Sequence, residues 1–350
     1  MTNPPEPSRL QLPPRFLVIL FAPVAVFLLL EFVLKSLGDP HLALPLDALL
    51  DEAPLAELTG RYKFLAAFAF FGAVSVAVLA IFGFDLRSNY TRRTAIRCLA
   101  AVVAAAAVGL VYSVVEPDAL GGFELRDLLG RGFFDSAVGR GGVGLCADGT
   151  ACSEAGGLFV LRAITGPING LTSFALAAAM IGLILALARR NGAVPFAETD
   201  HIASDVADLT TGRAVSQRYL YCAGLLLTSG ITFLIAWMRW PTDLIADAAM
   251  RQQYLDLTAA ISLYVGVGYS VLILSAYLPV ILLLTRRAEA LRNKLAARQA
   301  IDRSENAGAP ELAIDLPALN YLDALKSVAA ILSPVLASSI GTFGQGAIFG

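Results

Sequence analysis

The chain has 350 residues, of which 57% are hydrophobic and only 15% charged, and its mean hydropathy is +0.69. Soluble globular chains carry about 25% charged residues, and here the apolar residues run in blocks of membrane-crossing length, so an ordinary soluble domain is excluded. A formal net charge of −2 excludes a globally basic nucleic-acid binder, and two histidines with four cysteines are too few ligands for a multi-haem or iron–sulfur protein.

The pattern predicts an all-α fold, a polytopic integral membrane helical bundle of six transmembrane helices. The spans run roughly from Phe16 to Leu37, Phe64 to Phe84, Cys98 to Val115, Gly166 to Leu187, Tyr219 to Trp237 and Leu257 to Leu284. Each is long enough for a hydrocarbon core of about 30 Å at about 1.5 Å per residue. Backbone amides in lipid must be satisfied within their own segment, hence helices. Residues 1–303 form the transmembrane domain, with an outer loop at 116–165, and residues 304–350 form a linker and an apolar C-terminal segment.

Basic residues orient the bundle, because cytoplasmic loops collect Lys and Arg. With the N-terminus and C-terminus inside, most of the 26 basic residues fall on cytoplasmic segments. The short stretch from Asp85 to Arg97 is decisive, with Arg87, Arg92, Arg93 and Arg97 between two spans. The pairs Arg189-Arg190 and Arg286-Arg287 each close an inward-going helix, and Trp237, Trp240 and Tyr254 fall at the outer boundary as interfacial aromatics. The first apolar run is too long for a secretory signal and no A-x-A site follows it, so it reads as a retained helix, kinked at Pro23. A bacterial inner membrane fits this bias.

The outer loop carries Cys146 and Cys152 in Cys-Ala-Asp-Gly-Thr-Ala-Cys, a spacing that fits a small disulfide-closed loop in an oxidising compartment. Zinc is a poor alternative without a nearby histidine. The same loop holds a literal G-x-G-x-x-G at Gly139 to Gly144, but no strand precedes it, so a flexible loop is the reading. Between the fourth and fifth spans, His201, Asp205 and Asp208 share a helical face. That spacing suits a divalent ion, but an amphipathic surface helix explains it more simply; metal binding stays open and no cofactor is expected. Asp247 and Arg251 are spaced to pair on a solvated face. The sixth helix continues inward to about Arg303.

From Ser327 to Gly350 there is no charged residue, and Leu319, Leu322, Leu325 and Val328 lead in with helical periodicity. Three readings stand: a re-entrant or interfacial helix, or one packed against the bundle; a seventh span; or a tail covered by another subunit. Pro334 and the glycines favour the first.

Within the spans the only ionisable groups are Glu31 and Lys35, one turn apart and able to form an intramembrane ion pair. Small residues at Ala101, Ala105 and Gly109, and at Ala178, Gly182 and Ala186, predict that the third and fourth helices pack together. Asn169, Thr172, Ser173, Thr228, Ser229, Thr232, Ser262, Tyr269 and Ser270 are candidates for a polar cavity, against the plainer reading of interhelical hydrogen bonds. His41 and His201 lie on opposite sides of the membrane, so no catalytic pair is assembled. The expected function is a non-enzymatic multi-pass membrane protein, channel-like or transport-related, or a membrane subunit of a larger complex. A sensor with a ligand-binding outer loop, or a membrane-embedded enzyme, is the alternative. Its partners are the lipid bilayer and further membrane subunits or copies of itself, with no nucleic acid.

Overall fold

A computed structural model describes residues 9–37, 54–119, 156–190, 198–305 and 321–343. In chain order these form β1 (Leu10–Gln11), a 3-10 turn (Pro14–Leu20), α1 (Phe21–Leu37), α2 (Pro54–Asn89), α3 (Arg92–Ala119) and α4 (Gly156–Leu185). There follow β2 (Arg189–Arg190), α5 (Glu198–Arg239), a second 3-10 turn (Trp240–Leu244), α6 (Ala248–Glu305) and α7 (Tyr321–Phe343). The fold is all-α apart from the two-residue strands, and all six predicted segments fall on helix. Four helices are long and apolar enough to cross a membrane: Leu58–Asn89, Gly166–Leu185, Ser204–Leu244 and Ala248–Ala297. Pro14–Leu30 and Ala324–Ser339 are shorter apolar helices.

Helix α4 is the centre of the bundle. Residues from Ala177 to Ala188 are buried without a break, which is what a helix apolar on all sides requires. It packs against α2, α3, α5 and α6. The predicted contact between α3 and α4 is present, but two of the three small residues on the α4 stripe, Gly182 and Ala186, face α5. Gly182 lies under the Tyr219 ring of α5, and the Ala186 carbonyl meets Gly212 of α5. The α3 side is met instead by Ala177, which shares a crevice with Ala105. A stripe of small residues thus marks a close approach of α4 to a neighbour, and a single sequence does not say to which.

Several local expectations are corrected. Asp85 to Arg97 is not a loop: α2 runs on to Asn89, and Thr91 caps α3 by accepting the Thr94 N–H on its hydroxyl at 3.4 Å. The fourth helix begins well before the predicted start at Gly166, at Gly156, and carries Pro167 inside. Asp247 and Arg251 do not pair. Asp247 caps α6 by accepting the Met250 N–H at 2.7 Å, while Arg251 donates to the Ile245 carbonyl from Nε at 3.0 Å and from its terminal nitrogen at 2.6 Å. Trp240 and Tyr254 are buried rather than turned outward, in a cluster with Phe64, Ile231, Met238 and Ile261. In the first helix, the change from 3-10 to α geometry comes two residues before Pro23, whose missing N–H makes a regular helix through that turn costly.

The C-terminal segment is a helix packed on its own chain, against α5 and α6. Glycines set its seat. A Cβ on Gly224 would lie 2.7 Å from the Ala330 carbonyl oxygen, and one on Gly266 would lie 2.5 Å from Ser338 Oγ and 3.0 Å from the Pro334 oxygen. Pro334 does not end the helix. The Ala330 carbonyl, which the ring of Pro334 deprives of a main-chain donor, accepts the Ser333 hydroxyl at 2.8 Å and faces Gly224 of α5.

Candidate functional site

The two ends of the bundle differ in chemistry, and the polar side chains gather at the end carrying Asp85. Asp85 sits on the buried face of α2, one turn past Phe82, and is only 3% exposed. Its carboxylate accepts from one terminal nitrogen of Arg218 at 2.8 and 2.9 Å, from the Tyr219 hydroxyl at 2.9 Å and from Asn89 at 3.4 Å. A buried carboxylate is tolerable only with such partners. Arg218 itself is 47% exposed, so the pair has one member inside the bundle and one at its surface. Tyr90, between α2 and α3, donates to the Leu185 carbonyl at 3.4 Å and ties this corner to α4. Burial, then the Asp85 charge, pushes the Tyr90 hydroxyl well above its ordinary range, so it stays a donor.

Beside this network the N-terminal strand closes a clasp. Leu10 and Gln11 pair antiparallel with Arg190 and Arg189. The Leu10 carbonyl takes the Thr91 N–H at 3.1 Å, and the Leu12 N–H donates to Thr94 Oγ1 at 3.3 Å. The Arg189-Arg190 pair thus forms strand, where the sequence suggested only a helix terminus. Arg287 completes the end: it donates to the Leu187 carbonyl at 3.0 Å, beyond the last turn of α4, and stacks over Phe16 with its guanidinium carbon 5.3 Å from the ring centre. A cation there meets the negative end of the α4 dipole.

Two cavities bear on ligand binding. One, of about 110 Å³, is an apolar crevice between the first 3-10 turn, α1, α3, α4 and α6, edged by Leu20, Phe27, Val108, Met180 and Leu272. The other, of about 130 Å³, is polar and lies at the arginine-rich end between β2, α5 and α6. Of the hydroxyl-bearing candidates only Ser173 touches either, at the apolar crevice. Thr172 and Ser173 both donate to the Asn169 carbonyl, at 3.1 and 2.8 Å. Ser229 donates to Leu226, Thr232 to Thr228 and Ser262 to Thr258, each within its own helix. Tyr269 lies where the two apolar clusters meet. Thr228 Oγ1 and Ser270 Oγ are buried with no hydrogen-bond partner among the described residues.

Glu31 and Lys35 fall on α1, but their side chains lie outside the described residues, as do Cys146 and Cys152. Cys98 and Cys222 are free thiols. Among the described residues no three of His, Cys, Asp and Glu gather as metal ligands. Sequence reasoning missed Asp85, Arg218 and Tyr219 because Asp85 stands one residue past the apolar run. The signal was its spacing from Val74, Val78 and Phe82, which puts it on the buried stripe of α2. No family model, curated protein or solved structure matches this chain.

Proposed function

We propose that the chain is a non-enzymatic, transport-related membrane protein of seven crossing helices, with its N-terminus in the cytoplasm of a bacterial cell and its C-terminus outside. Four helices of crossing length and the basic bias of the Asp85 end support the embedding and its direction. The seventh span rests on register. Tyr277 of α6 meets Ser327 of α7 at 3.4 Å, and Gly266 meets Pro334 and Ser338, so the two helices run antiparallel. Continued to its ends, α7 runs beside nearly all of the apolar stretch from Leu257 to Leu284, and its 23 residues span about 35 Å, enough for the hydrocarbon core. This revises the C-in expectation, and alkaline phosphatase fused after Gly350 tests it: activity supports seven spans, and silence beside an active green fluorescent protein fusion at the same site removes the seventh.

The observation that carries the transport reading is the Asp85–Arg218 pair, which bridges α2 and α5 at the cytoplasmic end. Ionisable groups are costly near the hydrocarbon and concentrate on pathways. A carboxylate held by one half-exposed arginine is a junction that can open without unfolding either helix. The unpartnered hydroxyl of Thr228 lies further along α5 and that of Ser270 on the neighbouring α6, where a polar solute or water would answer them. Proteoliposomes loaded with ion- and pH-sensitive dyes test this. Flux above empty vesicles, reduced several-fold in Asp85→Asn, is expected; wild-type vesicles that hold their gradients overturn transport and leave a membrane subunit of a larger complex.

A further inference from the structure

The polar cavity at the arginine-rich end is walled by Arg189 on β2, Asp205 and Asp208 on α5, and Arg287 and Lys294 on α6. Packing fixes its depth. Gly212 abuts the Leu284 side chain and the Ala186 carbonyl, so it is level with the end of the apolar part of α6. Asp208 lies one turn, about 6 Å, further out. On the membrane reading this is the depth of lipid headgroups. Buried Leu209 and Leu291 line its apolar side.

The charges fall on two walls. Among the described residues no ion pair within 4.0 Å engages Arg189, Arg287 or Lys294. On the α5 wall, Asp208 accepts the Arg190 N–H on Oδ2 at 3.0 Å and has Arg190 Nε 3.6 Å from Oδ1, yet Oδ1 is buried without a hydrogen-bond donor. Asp205 stands exposed beside it. A simple anion satisfies the cations but faces two carboxylates, and a simple cation meets the reverse. A ligand carrying both signs answers both walls with charge-assisted hydrogen bonds.

We propose that this cavity binds a phosphate ester bearing a primary ammonium, the headgroup of an ethanolamine phospholipid. The phosphate lies against Arg189, Arg287 and Lys294, and the ammonium donates to Asp205 and to Asp208 Oδ1. A choline headgroup has no N–H to give Asp208, and a glycerol headgroup offers neutral hydroxyls but no cation to offset the two carboxylates. The inference rests on the membrane reading, which sets the cavity at headgroup depth.

The test uses the full chain in detergent micelles, with retained lipid weighed by native mass spectrometry against equal amounts of phosphatidylethanolamine, phosphatidylcholine and phosphatidylglycerol. Ethanolamine lipid is expected to be preferred by roughly tenfold, the scale of one charge-assisted bond made or lost. Lys294→Gln and Asp205→Asn, both at exposed positions, each erase most of that preference, and Asp205→Asn shifts it toward phosphatidylglycerol. Displacement by millimolar free phosphoethanolamine supports the same chemistry with a soluble source; retention in its presence supports the lipid. Equal retention of the three lipids, a preference unchanged in the double variant, or displacement by inorganic phosphate alone overturns the proposal. Failure of the membrane reading is distinguishable, since it appears as monodisperse protein recovered without detergent.

Discussion

The tryptophan end and the arginine end of the bundle are closed by different forces. At the first, Phe64 stacks on Trp240 with ring centres 5.1 Å apart and touches Phe233 and Trp237 at 5.4 Å each. Tyr254 donates to the Met238 carbonyl, and Gly60 lets α2 press against the Trp240 backbone. At the second, the helices are joined by Asp85–Arg218, by Arg287 on the Leu187 carbonyl and by the clasp of β1 on β2. Ring packing weakens gradually as groups separate and has no preferred partner. Hydrogen-bonded charge is directional, strong when made and costly when half made. On the transport reading, opening is therefore expected at the arginine end, with the tryptophan end as the fixed hinge.

The largest expected effect lies between the two. Gly182→Leu drives a side chain into the Tyr219 ring, which is itself fully buried and holds Asp85. Neither α4 nor α5 has room to move, so folded protein should not be recovered, measured as loss of a monodisperse peak in detergent. Trp240→Ala comes next. Truncating a fully packed large aromatic costs about 3–5 kcal/mol in soluble cores, and the cost should fall at the tryptophan end, as a lowered thermal midpoint with the Asp85 end still closed. Arg218→Ala is smaller, because Arg218 is half exposed and water replaces part of what it gives. It leaves Asp85 with Tyr219 and Asn89 alone, at a cost of about 1–3 kcal/mol, and Asp85→Asn should recover part of that in the double variant. If Trp240→Ala and Arg218→Ala open the same end by hydrogen exchange, the division of labour between the ends is wrong.

What the sequence made legible follows the range of each signal. Long apolar runs are local and strong, and the helices at Phe64 to Phe84 and Leu257 to Leu284 are where the hydropathy puts them. Boundaries were weaker: Asp85 and Arg87 look like loop residues because charge ends an apolar run, yet α2 continues to Asn89, and Arg218 and Tyr219 of α5 partner Asp85 on its buried face. Those partners are more than a hundred residues away, beyond any window on a single chain. The β1–β2 clasp was illegible for the same reason; two-residue strands have no period, and nothing in Leu10-Gln11 names Arg189-Arg190. For the polar candidates, hydroxyls at helical spacing fit a wet cavity and bonding to the preceding turn equally well. Ser229, Thr232 and Ser262 take the second course, and Thr228 and Ser270 do not.

The smallest effect sharpens the comparison most. Thr94 is buried, and its hydroxyl oxygen is the acceptor for the Leu12 N–H at 3.3 Å, where β1 leads into the first helix. Thr94→Val keeps the shape and removes the acceptor, leaving one main-chain donor without a partner at a cost of about 1 kcal/mol. Global stability hardly changes, because the clasp is a local unit that opens by itself. The opening constant of β1 rises by about fivefold. Trypsin reads this directly at the Arg9–Leu10 bond, which a protease reaches only when Leu10 leaves Arg190 and Tyr90. Cleavage there should quicken by the same factor in Thr94→Val and stay at the wild-type rate in Trp240→Ala, since loosening the aromatic end does not touch the strand. Equal acceleration in both variants would mean that the ends open together, and that the bundle breathes as one body instead of hinging.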